Sequence, residues 1–231
     1  MKKYLATFVF LLFANLECFA QSYSPDNLKN KRDELVQSIG RFLTVKGVEL
    51  KPGLKVKDMY DVLINKGFKK SDSSDYIYDM YGGYALNGTF FGLPNCSLQL
   101  LPVTTDKKTL GMVSISFQNQ NSFKELKRDY DILKSALGEK YFISKSIEMF
   151  DDNYVSESTS DYLKLHALKN KEASFQSTFY LSNNELSVLL GQIILSITCL
   201  KLDYQDTCYV SLTYYTSDFV MEQFTYENND L

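Results

Sequence analysis

Apolar residues recur along this chain with two periods, one helical and one alternating. Leu28, Leu35, Val36, Ile39, Phe42 and Leu43 share one side of a helical pattern opened by Ser24-Pro25-Asp26, where Pro25 suits the first turn. Pro52-Gly53 then punctuates the chain. The spacing of Val56, Met59, Tyr60, Leu63 and Ile64 predicts a second, short helix, with Gly67 placed where a left-handed cap is wanted. From Phe68 to Val103 the chain is rich in Tyr, Phe and Thr, and Gly82-Gly83 and Asn87-Gly88 serve as turn signals, so this stretch reads as strands. Met112 to Phe117 alternates cleanly and predicts a half-buried strand. Ser122-Phe123-Lys124-Glu125 spells a capping box, and Phe123, Leu126, Tyr130, Leu133 and Leu137 continue the helical stripe to Gly138. A further helix is expected over 160–169, with Leu163, Ala167 and Leu168 inward, followed by strands over 173–181, 186–202 and 207–215. The end, Glu227-Asn228-Asn229-Asp230, reads as solvated.

Laid side by side, two parts of the chain rhyme. Leu63-Ile64-Asn65-Lys66-Gly67-Phe68 ends one helix as Leu137-Gly138-Glu139-Lys140-Tyr141-Phe142 ends another. Thr89-Phe90-Phe91 then answers Ser174-Phe175-Gln176, Leu98 to Leu101 answers Ile194 to Ile197, and Val113-Ser114-Ile115 answers Val210-Ser211-Leu212. The pattern predicts an α+β fold of antiparallel sheet and packed helices, with a helix-plus-three-strand unit occurring twice and an extra helix in the second copy. Alternating strands also resemble one another by chance, so a single unduplicated unit stays open. The expected organisation is a leader over 1–20, an N-terminal helix and linker over 21–53, subdomains over 54–120 and 121–219, and a C-terminal tail over 220–231.

Residues 1–20 have the order of a secretory signal peptide: Lys2-Lys3, the apolar run Leu5 to Phe13, then Cys18-Phe19-Ala20 before Gln21. Cleavage after Ala20 is expected, and with it a periplasmic or secreted location. The apolar run is shorter than the ~20 residues of a spanning helix, and Gln192, Ser196, Thr198 and Lys201 interrupt the other greasy stretch, so no transmembrane segment is expected in the mature chain. Glu17 before Cys18, and Asn15 three before it, argue against lipidation. An exported chain meets oxidising chemistry, and three cysteines remain after cleavage: Cys96, Cys199 and Cys208. A hairpin folded about Asp203-Tyr204 sets Cys199 opposite Cys208 and predicts that bridge. Pairing through Cys96, or three free thiols, stays open; Gly92-Leu93-Pro94-Asn95 offers no cation to activate Cys96, which reads as a buried bystander.

The phrases Phe42-Leu43-Thr44-Val45-Lys46-Gly47-Val48-Glu49-Leu50, Leu63 to Phe68, Gly88-Thr89-Phe90-Phe91-Gly92, Asn95-Cys96, Val113 to Phe117 and Ser122 to Tyr141 resemble exported proteins of Gram-negative gut bacteria that carry no assigned activity. Val48-Glu49 stands where those proteins have Ile-Pro, and Phe142 where they have Gly. The resemblance spans most of residues 40–215. It implies an α+β fold with the helix-on-curved-sheet repeats of beta-lactamase inhibitor protein-like domains, and it carries over no functional residues.

Composition narrows the chemistry. Lys plus Arg is 25 against Asp plus Glu 28, a formal charge of −3 without a basic run, which disfavours nucleic acid as a partner. One histidine, His166, removes most zinc sites and imidazole-based triads, and the 11 glycines spell no phosphate-binding fingerprint, so neither metal nor cofactor is expected. Asp151-Asp152 reads as a solvated loop and His166 as a helical surface residue. Asn87-Gly88-Thr89 matches a glycosylation sequon in spelling and reads as a turn. With 17 Tyr, 16 Phe and no Trp, aromatic residues must fill the sheet, yet Tyr76, Tyr78, Tyr81 and Tyr84 cluster around Asp75, Asp79 and Gly82-Gly83. They are the candidate binding residues, able to present rigid amphipathic contacts to a protein, a peptide or an envelope glycan, although a sheet simply showing phenols to water is the favoured account of them. The expectation is an exported, non-catalytic binding protein of the cell envelope; the alternative is a carboxylate-dependent hydrolase acting on glycans. A hydrolase needs a cleft where two or more of Asp75, Asp79, Asp151, Asp152 and His166 converge, whereas a binder needs an exposed aromatic face without such convergence.

Overall fold

The structure is a computed structural model that describes residues 24–150, 159–200 and 206–229. Helix α1 (Pro25–Ile39) starts where the Ser24 hydroxyl accepts from the Asn27 amide, and ends at Gly40, whose φ of +63° lets its N–H reach the Val36 carbonyl. A two-residue turn at Lys46-Gly47 joins β1 (Thr44–Val45) to β2 (Val48–Glu49). Helix α2 (Val56–Asn65), the short β3 (Lys69–Lys70) and helix α3 (Ser74–Tyr81) lead into the meander β4 (Tyr84–Phe90), β5 (Leu93–Pro102) and β6 (Leu110–Ser116). The second half repeats that order with α4 (Phe123–Gly138), β7 (Phe142–Phe150), α5 (Asp161–Lys169), β8 (Ala173–Tyr180), β9 (Gly191–Leu200) and β10 (Thr207–Thr216). Helix α6 (Ser217–Asn229) closes the chain.

Eight strands form one antiparallel sheet in the order β3-β4-β5-β6-β10-β9-β8-β7, beside the β1-β2 hairpin, so the fold is α+β as its patterning predicts. A single row of partners crosses the whole sheet: Lys70, Leu86, Leu98, Ile115, Leu212, Leu195, Ser177, Ser146. It is symmetric about the Ile115–Leu212 rung, where β6 meets β10. The rhymed strands are therefore equivalent, with two corrections of register. Leu98 answers Leu195 rather than Ile194, and Leu86 answers Ser177, which places Tyr84 rather than Phe90 opposite Phe175. The extra helix also belongs to both copies, since α3 matches α5.

Other expectations are corrected as well. The stretch from Phe68 to Val103 holds α3 as well as strands, and Asn87-Gly88-Thr89 lies inside β4 rather than in a turn. The expected strand over 186–202 begins with a 3₁₀ turn, Glu185–Leu190, before β9 starts at Gly191. The expected tail from 220 is part of α6, whose Val220 and Phe224 are buried and whose Glu222 carboxylate accepts from the amides of Thr104 and Thr105 and the Thr104 hydroxyl.

Helices α2, α4 and α5 and the β1-β2 hairpin cover one face of the sheet around Met59, Leu63, Leu133, Leu137, Leu165, Leu195 and Leu212. Leu63 and Leu137 hold equivalent positions and are 0% and 1% exposed. The Asp161 carboxylate accepts from the Phe123 and Lys124 amides, so α5 caps α4 from outside while the Ser122 hydroxyl caps it from within. On the opposite face, α1, the 3₁₀ turn and α6 pack around Leu28, Ile194, Tyr215, Val220 and Phe224. Elsewhere that face is polar, and one rung runs Asn87, Ser97, Ser116, Ser211, Ser196, Gln176. The hydroxyls of Ser196, Thr198 and Ser211 bond one another at 2.8 to 3.3 Å. Cys199 and Cys208 are direct partners on β9 and β10 and form the expected disulfide, and the hairpin midpoint Asp203-Tyr204 lies outside the described residues. Cys96 is a buried free thiol.

Candidate binding surface

The four tyrosines singled out by sequence sit on and beside α3, at the outer end of the first half. Two anchors hold this helix to the sheet. The buried Ser74 hydroxyl accepts from the Ala85 amide at 3.2 Å, and Ile77 packs over Gly83. A Cβ at Gly83 would stand 2.3 Å from the Leu100 carbonyl, so only glycine allows the chain to pass this close to β5. Gly82, at φ +71°, ends the helix by donating to the Tyr78 carbonyl. With only Ser74 and Ile77 buried, the remaining large side chains point outward: Tyr76, Tyr78 and Met80 are each slightly over half exposed, and Tyr81 is 44% exposed.

Tyr84 differs from the other three. It is half-buried under Tyr60 and Tyr78, with ring centroids 4.4 and 5.5 Å away, and burial, helped by Tyr78, raises its pKa above the ordinary phenol value. Lys57, bound to Asp61, lies 5.1 Å from the Tyr60 ring centre. Lys70 donates to Asp75 at 2.6 Å, a contact that raises the lysine pKa. Tyr78 is therefore backed by the Tyr84 and Tyr60 rings, while Tyr76, Met80 and Tyr81 are exposed beside it on the helix.

Past β3 the same edge is dented. A groove of about 470 Å³ is lined by Lys46, Lys66, Lys69, Asn87, Thr89 and Asn95, with Gly67, Gly88, Phe68 and Pro94. Lys46 Nζ stands 5.4 and 5.7 Å from the ring centres of Phe90 and Phe68. Sequence reasoning missed this groove, because its lysines come from the β1-β2 turn, the end of α2 and β3. Cys96 lies nearby but is no nucleophile: burial raises its thiol pKa, outweighing the Phe90 backbone and the charge of Lys46, and its Sγ donates to the Leu93 carbonyl.

The catalytic candidates do not converge in the described structure. Asp75 and Asp79 lie on one exposed face of α3, His166 is exposed on α5 beside Asn170 and Tyr162, and Asp151 and Asp152 lie outside the described residues. The arrangement closest to a nucleophile pair is Ser146, whose hydroxyl meets Lys134 Nζ at 2.9 Å and Ser177 Oγ at 2.9 Å. Lys134 is bound by Glu148, which Lys127 also approaches, so this lysine is a paired cation and not a base. The chain of hydroxyls has a packing purpose instead. It satisfies the buried Tyr130 hydroxyl, 2.8 Å from Ser177, whose pKa burial pushes up to about 12. Among the described residues no three His, Cys, Asp or Glu side chains gather as a metal site, and no helix is long and apolar enough to cross a membrane. No protein-family model, curated protein or solved structure matches the chain.

Proposed function

We propose that this is an exported, non-catalytic binding protein of the cell envelope that holds a protein partner on the outer surface of α3. One observation carries the reading: four large apolar side chains, Tyr76, Tyr78, Met80 and Tyr81, are presented together on one two-turn helix. A helix of that size normally turns its large apolar residues inward. Here they flank the buried Ile77 on both sides with Asp75 and Asp79 on the outer face, an exposure that suits an interaction site. Tyrosine and methionine give large contact area at low ordering cost, and the neighbouring Asp72, Asp75 and Asp79 favour a partner whose facing surface is neutral or basic. Export rests on the order of residues 1–20 and is supported by the Cys199–Cys208 bridge.

The test is the size of the native assembly in the producing cell. The wild-type chain is expected to elute from a gently solubilised envelope fraction in a complex, and the variant carrying Tyr76→Ser and Tyr81→Ser is expected to elute as the free chain. Both substitutions are at exposed sites and leave the melting temperature unchanged, with effects within about 0.5 kcal/mol. A variant that still co-elutes with the complex, or a wild type that runs only as the free chain, contradicts the proposal.

A further inference from the structure

The groove at Lys46, Lys66 and Lys69 lies on a different part of the first half and is independent of the α3 reading. Its origin is visible by comparison with the second half. Gly88 pairs with Cys96 as Phe179 pairs with Ile193, so Gly88 stands where the second half has a fully buried phenylalanine. Gly67 follows the last buried leucine of α2 at the same distance as Tyr141 follows Leu137 in α4. Two aromatic side chains in one copy are thus two glycines in the other. Phe68 turns inward over Gly88, where a Cβ would lie 2.4 Å from its ring. The edge outside that ring is left as the dent of about 470 Å³.

The lining specifies an occupant. Three of its ten residues are lysines and none is acidic, in a chain whose formal charge is −3. Among the described residues none of the three lysines makes an ion pair, a trait they share with other surface lysines such as Lys29 and Lys145. These three, however, converge on one groove, where Lys46 lies over the Phe68 and Phe90 rings. Focused positive charge of this kind draws an oxyanion. The other polar lining groups, Asn87, Thr89 and Asn95, are amides and a hydroxyl, which pair with hydroxyls. From Asn87 the polar rung continues through Ser97, which is exposed, to Ser116. A peptide occupant would need apolar side-chain pockets, and the lining offers only Phe68 and Pro94, with β4 unpaired past Asn87 on its outer side for too short a run to seat a strand. We infer that this groove binds an acidic saccharide, its carboxylate or phosphate held by Lys46, Lys66 and Lys69 and its ring hydroxyls by Asn87, Thr89 and Asn95.

Titration calorimetry on the oxidised chain tests this with five probes: a galacturonate trisaccharide, its neutral galactose counterpart, glucose 6-phosphate, inorganic phosphate and a hexaglutamate peptide. Binding of the trisaccharide, of glucose 6-phosphate or of both is expected, and which one binds tells a uronate from a sugar phosphate. The neutral sugar and bare phosphate should each bind at least about tenfold more weakly than the better acidic sugar. Lys66→Gln and Lys69→Gln should each weaken it about tenfold, Lys29→Gln on α1 should leave it unchanged, and Thr89→Trp should block the groove without altering charge. Circular dichroism and the melting temperature establish that each variant is folded. Equal binding of the neutral sugar, equal or tighter binding of phosphate or hexaglutamate, loss on Lys29→Gln, or no binding of any probe overturns the inference. Each of these outcomes leaves the α3 proposal standing, because none of the groove residues is on that helix.

Discussion

On either side of the Ile115–Leu212 rung the sheet presents the same ladder twice, but the two halves close their outer ends in opposite ways. In the second half, nine residues of β7 run along β8, α5 lies over the sheet with Leu165, Ala167 and Leu168 buried, and Asp161 ties α5 to the start of α4. In the first half, β3 is two residues long, α3 buries only Ser74 and Ile77, and Gly67 and Gly88 replace Tyr141 and Phe179. Phe175 and Phe179 of the second half are buried in the sheet, whereas Tyr76, Tyr78 and Tyr81 of the first half face outward near a basic groove. Each half also holds exceptions, Phe142 and Tyr162 being exposed and Phe68 and Phe90 buried. On the proposed reading, the duplicated ladder supports one half as scaffold and leaves the other for contact.

The comparison is sharpened most strongly where the copies should behave alike. Leu63→Ala and Leu137→Ala remove equivalent buried side chains and should each cost about 2 to 5 kcal/mol in denaturant unfolding. A loss in one copy several-fold larger than in the other would contradict their structural equivalence. Next comes the hairpin end, where the halves differ. Breaking the Cys199–Cys208 bridge should cost about 2 to 3 kcal/mol and speed amide exchange at 198–200 and 207–209, while β5 and β6 stay protected.

A smaller effect follows from a polar pair at equivalent core positions. Ser177 occupies the place of Leu86, and Ser177→Ala removes the 2.8 Å partner of the buried Tyr130 hydroxyl, leaving it Ser146, at a cost of about 1 to 3 kcal/mol. Adding Tyr130→Phe should recover part of that loss, since an apolar pair already stands at Val56 and Leu86; a double variant as unstable as the sum of the single ones refutes the equivalence.

The smallest effect is at the β5-β6 turn, which has no disulfide. There Asp106 is opposed by partial burial, but the hydroxyl and amide of Thr109, the Lys108 amide and Lys55 hold its carboxyl down to about 2. A carboxyl depressed in the folded state stabilises above the unfolded pKa near 4, and that stability is lost as pH falls through the window from about 4 to about 2. Asp106→Asn should flatten this acid limb of the unfolding curve. An unchanged limb argues that the turn contributes nothing there.

The sequence made visible the elements whose burial follows a single period. Helices α1, α2, α4 and α5 carry caps or one apolar stripe, although on α5 it is Leu165 and not the expected Leu163 that turns inward; β6 and β10 alternate, and the parity of Cys199 and Cys208 placed their bridge correctly. Helix α3 was hidden because its tyrosines favour strands and its apolar side is the exposed one. Strand β7 was hidden by its edge position, where most of its side chains face water. The match of β9 to β5 slipped by one residue because Ile193, Ile194 and Leu195 are all buried, so burial did not show which of them answers Leu98. Among the site residues, the tyrosines were legible as a cluster, but the lysine groove appears only when Gly67 and Gly88 are set against their counterparts in the other copy.

Site-specific photo-cross-linking tests the central contrast most directly. A benzophenone side chain is placed at Tyr78 on α3, or at Tyr162, which is 72% exposed on the equivalent helix α5, and each chain is irradiated in the envelope of the producing cell. The account predicts one discrete adduct from position 78, competed away by unlabelled wild type but not by the chain carrying Tyr76→Ser and Tyr81→Ser, and none from position 162. Equal labelling from both helices, or none from position 78, would contradict it.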